Sequence, residues 1–143
     1  MHWMVLPLRR YADFSGRSRR MEYWMYILFV TLVMVGWGAV FFLFTGFSNH
    51  DLYSRPDNTL AMIWGLLGLL AYLAILVPSI AVQVRRFHDQ DKSGWMVLLN
   101  FIPYIGGLIV LVFMCLPGTV GENNYGDDPK DPGGVEDAVE VFR

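Results

Sequence analysis

Apolar residues run along this chain in blocks too long for a half-buried helix or strand. No acidic or basic side chain occurs between Glu22 and Asp51, between Asp57 and Arg85, or between Lys92 and Glu122, gaps of 28, 27 and 29 residues. A helix needs about 20 apolar residues to cross a hydrocarbon layer about 30 Å thick, rising about 1.5 Å per residue. A soluble amphipathic helix would break its apolar run with polar residues at helical period, and these runs are not broken that way. The pattern predicts an all-α integral membrane protein, a helical bundle with three apolar segments at about 23–47, 59–84 and 94–116.

Local signals set the expected elements. Ser18 is placed as an N-cap for the first helix, with Glu22 in its first turn near the positive end of the helix dipole. Tyr23, Trp24 and Tyr26 form an aromatic band at its start, and Gly46, Ser48 and Asn49 end it beyond about Phe44. In the second segment Pro78 predicts a bend and a backbone carbonyl freed of its helical donor, to be satisfied by a neighbour or water. The third is divided by Ile102-Pro103-Tyr104-Ile105-Gly106-Gly107. It reads first as one kinked span. The competing reading is a re-entrant pair of half-helices that returns the tail to the side of the amino terminus.

Charge refines this picture. All 24 formal charges lie outside the three gaps, so lipid and water are partitioned along the chain. Residues 1–22 form a basic amino-terminal segment, 23–117 the membrane domain, and 118–143 an acidic tail rich in Gly, Asn, Asp and Pro. The segment Met1–Tyr11, with Pro7 inside it, reads equally as a loose terminus or a short interfacial helix. The first apolar run follows a charged stretch and reads as a retained signal anchor. Arg9, Arg10, Arg17, Arg19 and Arg20 precede the first span and Arg85, Arg86 and Lys92 follow the second, whereas the first connection holds only Arg55. The positive-inside rule therefore places the amino terminus and second connection of this multi-pass membrane protein in the cytoplasm. Cys115 has no partner for a disulfide and reads as a small packing residue.

Two polar clusters meet on that face, Gly16–Trp24 and Arg85–Trp95. Helical spacing lets Asp89 pair with Arg85 or Arg86, and Glu22 could take a second arginine across the helix contact. The candidate binding residues are Arg17, Arg19, Arg20, Glu22, Arg85, Arg86, His88 and Asp89. Arginines at headgroup level attract anionic lipid or dock a membrane partner; flanking charges also set topology by themselves. His2, His50 and His88 fall in separate segments without metal-ligand spacing, so no metal or cofactor is expected. His88 and Asp89 are adjacent on a helix and point about 100° apart, which disfavours a catalytic dyad. No ionisable group lies inside the spans, which disfavours a transport path. The expected function is non-enzymatic binding of anionic membrane lipid, or of a membrane-protein partner or second copy, with no nucleic acid. The alternatives are an oligomeric small-solute transporter or channel packed on the Gly36/Gly38 or Gly65/Gly68 faces, and a lipid-headgroup enzyme using His88 and Asp89.

Four blocks in order resemble a bacterial inner-membrane family known as domain of unknown function 805. They are Phe14–Trp24, Arg85–Asp89 with Ser93–Trp95, Ile102–Gly106, and Gly118–Pro129. By similarity Arg17, Arg20, Glu22, Tyr23, Trp24, Arg85, Arg86, His88, Asp89, Gly94, Asn123, Tyr125, Gly126 and Pro129 fall on motif positions, from about Tyr11 to Pro129. The resemblance implies location and motif boundaries and supplies no reaction. It adds the tail positions Asn123, Tyr125, Gly126 and Pro129 to the candidate site. If that tail block shares one site with the arginines, the re-entrant reading of the third segment follows.

Overall fold

The computed structural model describes residues 2–48 and 58–131. The expectations for His50, Asp51, Arg55 and the rest of the first connection, and for the acidic tail from residue 132 onward, lie outside the described residues. The chain forms α1 (His2–Arg9), α2 (Arg20–Ser48), α3 (Asn58–His88), a 3-10 segment (Gly94–Phe101) and α4 (Gly106–Cys115), and no strand among the described residues.

α2 and α3 are membrane-length helices. Their apolar stretches Arg20–Leu43 and Met62–His88 correspond to about 36 and about 40 Å at helical rise, beyond a hydrocarbon core of about 30 Å. In the apolar 18-residue heart of each, only 6% and 17% of the residues are buried by the protein itself. That distinguishes them from the core helices of a soluble domain, whose apolar side chains are covered by protein. Leu32, Val35, Phe42, Met62, Leu66 and Leu70 point outward instead. Midway along, Trp37 meets Trp64 edge-on at 4.7 Å between ring centroids. Gly36, Gly38 and Gly65 face open space.

Pro78 is fully buried in α3. It has no N–H, so the carbonyl of Ala74, four residues earlier, lacks its helical donor. Tyr11 donates its hydroxyl to that carbonyl at 2.7 Å. Tyr26 and Ser79 both reach the next carbonyl, Ile75 O, at 3.3 and 2.7 Å. Tyr26 is therefore fully buried against α3 and is no part of an interfacial band; Trp24 remains on the surface. α1 is a formed helix packed on α2 and α3, with Pro7 buried, which settles the amino-terminal segment as helix. Ser18 does not cap α2: its buried hydroxyl finds no partner among the described residues, and its backbone N–H donates to Arg85 O at 3.2 Å.

The third apolar segment is not one kinked helix. The 3-10 segment starts beside the end of α3, where the Gly94 Cα lies against Val84 and His88. At Asn100 the side chain donates to Gln83 Oε1 at 2.8 Å. The chain then reverses through Pro103 and Tyr104, which holds φ at +67°. α4 runs back until the carbonyls of Phe113 and Leu116 accept from Gln90 and Arg86. Both ends of the segment thus sit at the His88 end of α3. The limbs are about 16 Å and about 15 Å long from their residue numbers and the rises of the two helix types, each half a bilayer core. The physical reason lies in the loop itself: Pro103 removes a backbone donor just where a continuous helix would need one. Cys115, expected to pack inside, is exposed, and its neighbour Met114 is buried.

Candidate functional site

The buried core lies at the Arg20/His88 end of the molecule and is half polar. Phe87, Val110 and Met114 form its apolar part. Around them Arg17, Ser18, Glu22, Arg85, Arg86, Asp89 and Gln90 are all buried. Charges seldom tolerate such burial without partners, because desolvation costs several kcal/mol per ion.

Partners come from α2, the end of α3, the loop before α2 and the chain after α4. Arg85 donates to Glu22 Oε1 at 3.1 Å and to the carbonyl of Asp13 at 2.5 Å. Arg86 pairs with Asp89 and donates to Leu116 O. Asp89 also receives Arg17 Nε at 3.1 Å. Of the two helical spacings open to Asp89, i,i+3 is the one used. The remaining N–H groups of Arg17 reach Gly121 O at 2.6 Å, Gly126 O at 3.2 Å, Thr119 O at 2.6 Å and Thr119 Oγ1 at 3.2 Å. A guanidinium has five N–H donors, and Arg17 spends all five inside the protein. Three buried guanidiniums thus face two buried carboxylates, and the surplus positive charge is solvated by backbone carbonyl dipoles of the tail.

The tail is shaped for this. Thr119 N donates to Asp89 O at 2.8 Å, and Asn123 Nδ2 donates to His88 O at 2.9 Å, so the last carbonyls of α3 are capped by residues thirty or more positions away. A tight turn joins Asn123 and Gly126, with Tyr125 N donating to Asn123 Oδ1 at 2.9 Å. Gly118 passes so close to Asp89 that a Cβ there would overlap the carboxylate. Arg19 donates to Pro129 O and lies over the Trp3 ring. Outside the spans two carboxylates are more acidic than usual. The Ser15 hydroxyl, helped by Arg10, holds Asp13 at a pKa of about 2, and the backbone N–H of Lys130 lowers Asp128.

The structure therefore brings Arg17, Arg19, Glu22, Arg85, Arg86, His88, Asp89, Asn123, Tyr125, Gly126 and Pro129 together into one assembly. Arg20 stands at its edge, exposed, with one N–H on Cys115 O at 3.3 Å. Sequence reasoning missed Thr119, Gly118, Gly121 and Gln90 as members. Only their place inside or beside the motif blocks could have marked them. His88 and Asp89 face different partners: His88 donates Nδ1–H to Gly16 O at 3.2 Å and stacks on Tyr125 at 3.9 Å, while Asp89 faces arginines. They do not form one acid–base unit.

The fold and this cluster define a helical integral membrane protein with two apolar helices of membrane length and a broken apolar hairpin, locked at one end by buried ion pairs. Residues 11–127 match the family described as "Protein of unknown function (DUF805)", and the chain belongs to that family. It is 41% identical over 134 residues to inner membrane protein YhaI of Escherichia coli strain K12, covering 91% of this chain and 97% of that one. Inner membrane protein YhaH of the same strain is 40% identical over 130 residues, covering 91% and 98%. The uncharacterized protein YiiR is more distant, 26% identical over 144 residues, covering 83% and 87%. No solved structure matches. These relatives place the chain in the inner membrane.

Proposed function

We propose that this is a non-enzymatic inner-membrane protein that binds anionic lipid headgroups at its Arg20/His88 end, facing the cytoplasm. The geometry divides the arginines first expected to share this task. Arg17, Arg85 and Arg86 have side chains no more than 1% exposed and are committed to internal partners, so they build the platform. Contact with lipid falls to Arg9 and Arg20, which are exposed. The observation that carries the reading is the position of Arg20. It opens a 24-residue apolar stretch whose surface is open, with Met21 and Trp24 exposed beside it. A cation and an aromatic ring at the end of a lipid-facing helix sit at headgroup level. The rule of positive charge inside supports the cytoplasmic orientation, and the separate partners of His88 and Asp89 support a binding role without catalysis.

Attraction of about 1 kcal/mol per basic residue near an anionic surface predicts that Arg9→Gln with Arg20→Gln weakens selective binding about thirtyfold. The measurement is retention of phosphatidylglycerol against phosphatidylcholine by the purified protein, read by lipid mass spectrometry. Unchanged selectivity in a folded double variant removes the proposal.

A further inference from the structure

Beside the ion-pair cluster lies an open cleft of about 590 Å³, lined by Phe14, His88, Ser93, Gly94, Trp95 and Tyr125. Its size falls within the range of small-molecule sites, about 300–1,000 Å³, and its composition matches them: mostly apolar walls with few polar groups. The cleft is held open from below. A Cβ on Gly94 would come within 2.8 Å of Val84 Cγ1 and 3.1 Å of His88 Nε2, so a larger residue would intrude where the imidazole edge is reached.

The polar groups present a definite demand. Gly16 O can only accept, so His88 carries its proton on Nδ1, and Nε2 is left as an acceptor with no partner among the described residues. Ser93 Oγ accepts from Trp95 N at 3.4 Å, which leaves its own O–H free to donate. No charged side chain lines the cleft, so neither a cation nor an anion finds a counter-charge in its walls. One acceptor and one donor on neutral walls suit a group that both donates and accepts. Three aromatic rings, with Trp95 and Phe14 exposed, suit an apolar body attached to it.

We propose that this cleft binds a neutral hydroxyl group carried on an apolar body, the hydroxyl donating to His88 Nε2 and accepting from Ser93. The apolar 3-10 segment begins at Gly94, so the cleft opens where chain passes from polar surface to apolar hairpin, and an amphiphile can enter with its tail along that hairpin. The same chemistry is offered by the free glycerol hydroxyl of a membrane lipid and by a dissolved phenol or alcohol. The site uses neither Arg9 nor Arg20 and stands independently of the headgroup contact proposed above.

The test uses the full chain in phosphatidylcholine nanodiscs, with empty discs subtracted, and two probes: 4-propylphenol and its methyl ether 4-propylanisole, which cannot donate. A net hydrogen bond of about 1 kcal/mol is worth about fivefold, so the phenol should bind roughly five- to tenfold more tightly than the ether. His88→Phe, which keeps a ring on Tyr125, should bring that ratio towards one while leaving ether binding intact; Ser93→Ala should weaken both probes about fivefold and leave the ratio, because the ether oxygen accepts as the phenol oxygen does. Trp95→Ala should weaken both probes alike. Equal binding of the two probes by the wild type, no binding above empty discs, an unchanged ratio in His88→Phe, or undiminished binding of both probes by Ser93→Ala overturns the proposal; the first two need no variant to fold. Co-purified lipids then separate the sources. Enrichment of a lipid with a free glycerol hydroxyl, lost in Trp95→Ala, assigns a membrane ligand. Phenol binding without such enrichment assigns a dissolved one.

Discussion

Replacing Tyr11 by Phe removes one hydroxyl, and its consequence should depend on a residue 67 positions away. Tyr11 donates at 2.7 Å to the carbonyl of Ala74, which is short of a donor because residue 78 is proline. The apolar faces around it are open to lipid, which offers no hydrogen bond in exchange. Leaving a carbonyl unsatisfied costs about 1–3 kcal/mol, so Tyr11→Phe should destabilise by about 1–2 kcal/mol. In a Pro78→Ala background residue 78 regains an N–H directed at Ala74 O, and the same substitution should cost under about 0.5 kcal/mol. The cycle isolates the coupling, about 1 kcal/mol or more, because whatever Pro78→Ala does alone cancels. Unfolding by sodium dodecyl sulfate titration in mixed micelles, followed by helical circular dichroism, measures all four proteins. An equal cost for Tyr11→Phe in both backgrounds refutes the assignment of Tyr11 as the surrogate donor.

Asp89 serves two buried arginines, Arg17 and Arg86, so Asp89→Asn should destabilise by about 3–5 kcal/mol, the cost of stranding buried charge. Arg10→Gln, which breaks an ion pair with side chains 37% and 35% exposed, should cost no more than about 1 kcal/mol in the same assay. Asp13 provides a pH dependence: its folded pKa lies at about 2, below the ordinary 3.8, so its stabilising contribution is complete above about 4 and is lost as pH falls through about 2. Wild type should therefore lose stability relative to Asp13→Asn across that acid window, and parallel pH profiles for the two proteins would contradict it.

How far the sequence reaches is clearest at Pro78. The proline announces a freed carbonyl, because its missing N–H is a property of the residue itself. Nothing local identifies Tyr11 as the donor, since that depends on how the amino-terminal segment folds back over α3. The pairing of Asp89 with Arg86 and of Glu22 with Arg85 follows the same division. Helical spacing offers Asp89 two arginines, and tertiary packing chooses between them, turning Arg85 towards Glu22 and admitting Arg17 beside Asp89. Tyr26 misleads in the opposite direction. A tyrosine near a helix start resembles an interfacial residue, yet here it reaches inward to Ile75 O and Ser79 Oγ beside the bend. Ser18 fails as a cap for a related reason: its own N–H is claimed by Arg85 O, which draws the chain away from cap geometry.

The hairpin reading carries a consequence that can be tested without knowing the ligand. Arg17 spends its donors on Thr119, Gly121 and Gly126, so the tail must lie on the same side of the bilayer as the amino-terminal segment. A continuous third span would need about 30 Å of rise, and the two limbs reach half of that before turning back. In a Cys115→Ser background, single cysteines at Ala12 and Asn124, both exposed, should respond identically to an impermeant thiol reagent in intact spheroplasts. With the amino terminus cytoplasmic, both are protected until the membrane is opened. An inverted insertion would label both, so their agreement is independent of orientation. Labelling of one position and protection of the other would mean that the chain crosses a third time, and the buried Arg17 would then be stripped of the carbonyl oxygens that solvate its charge.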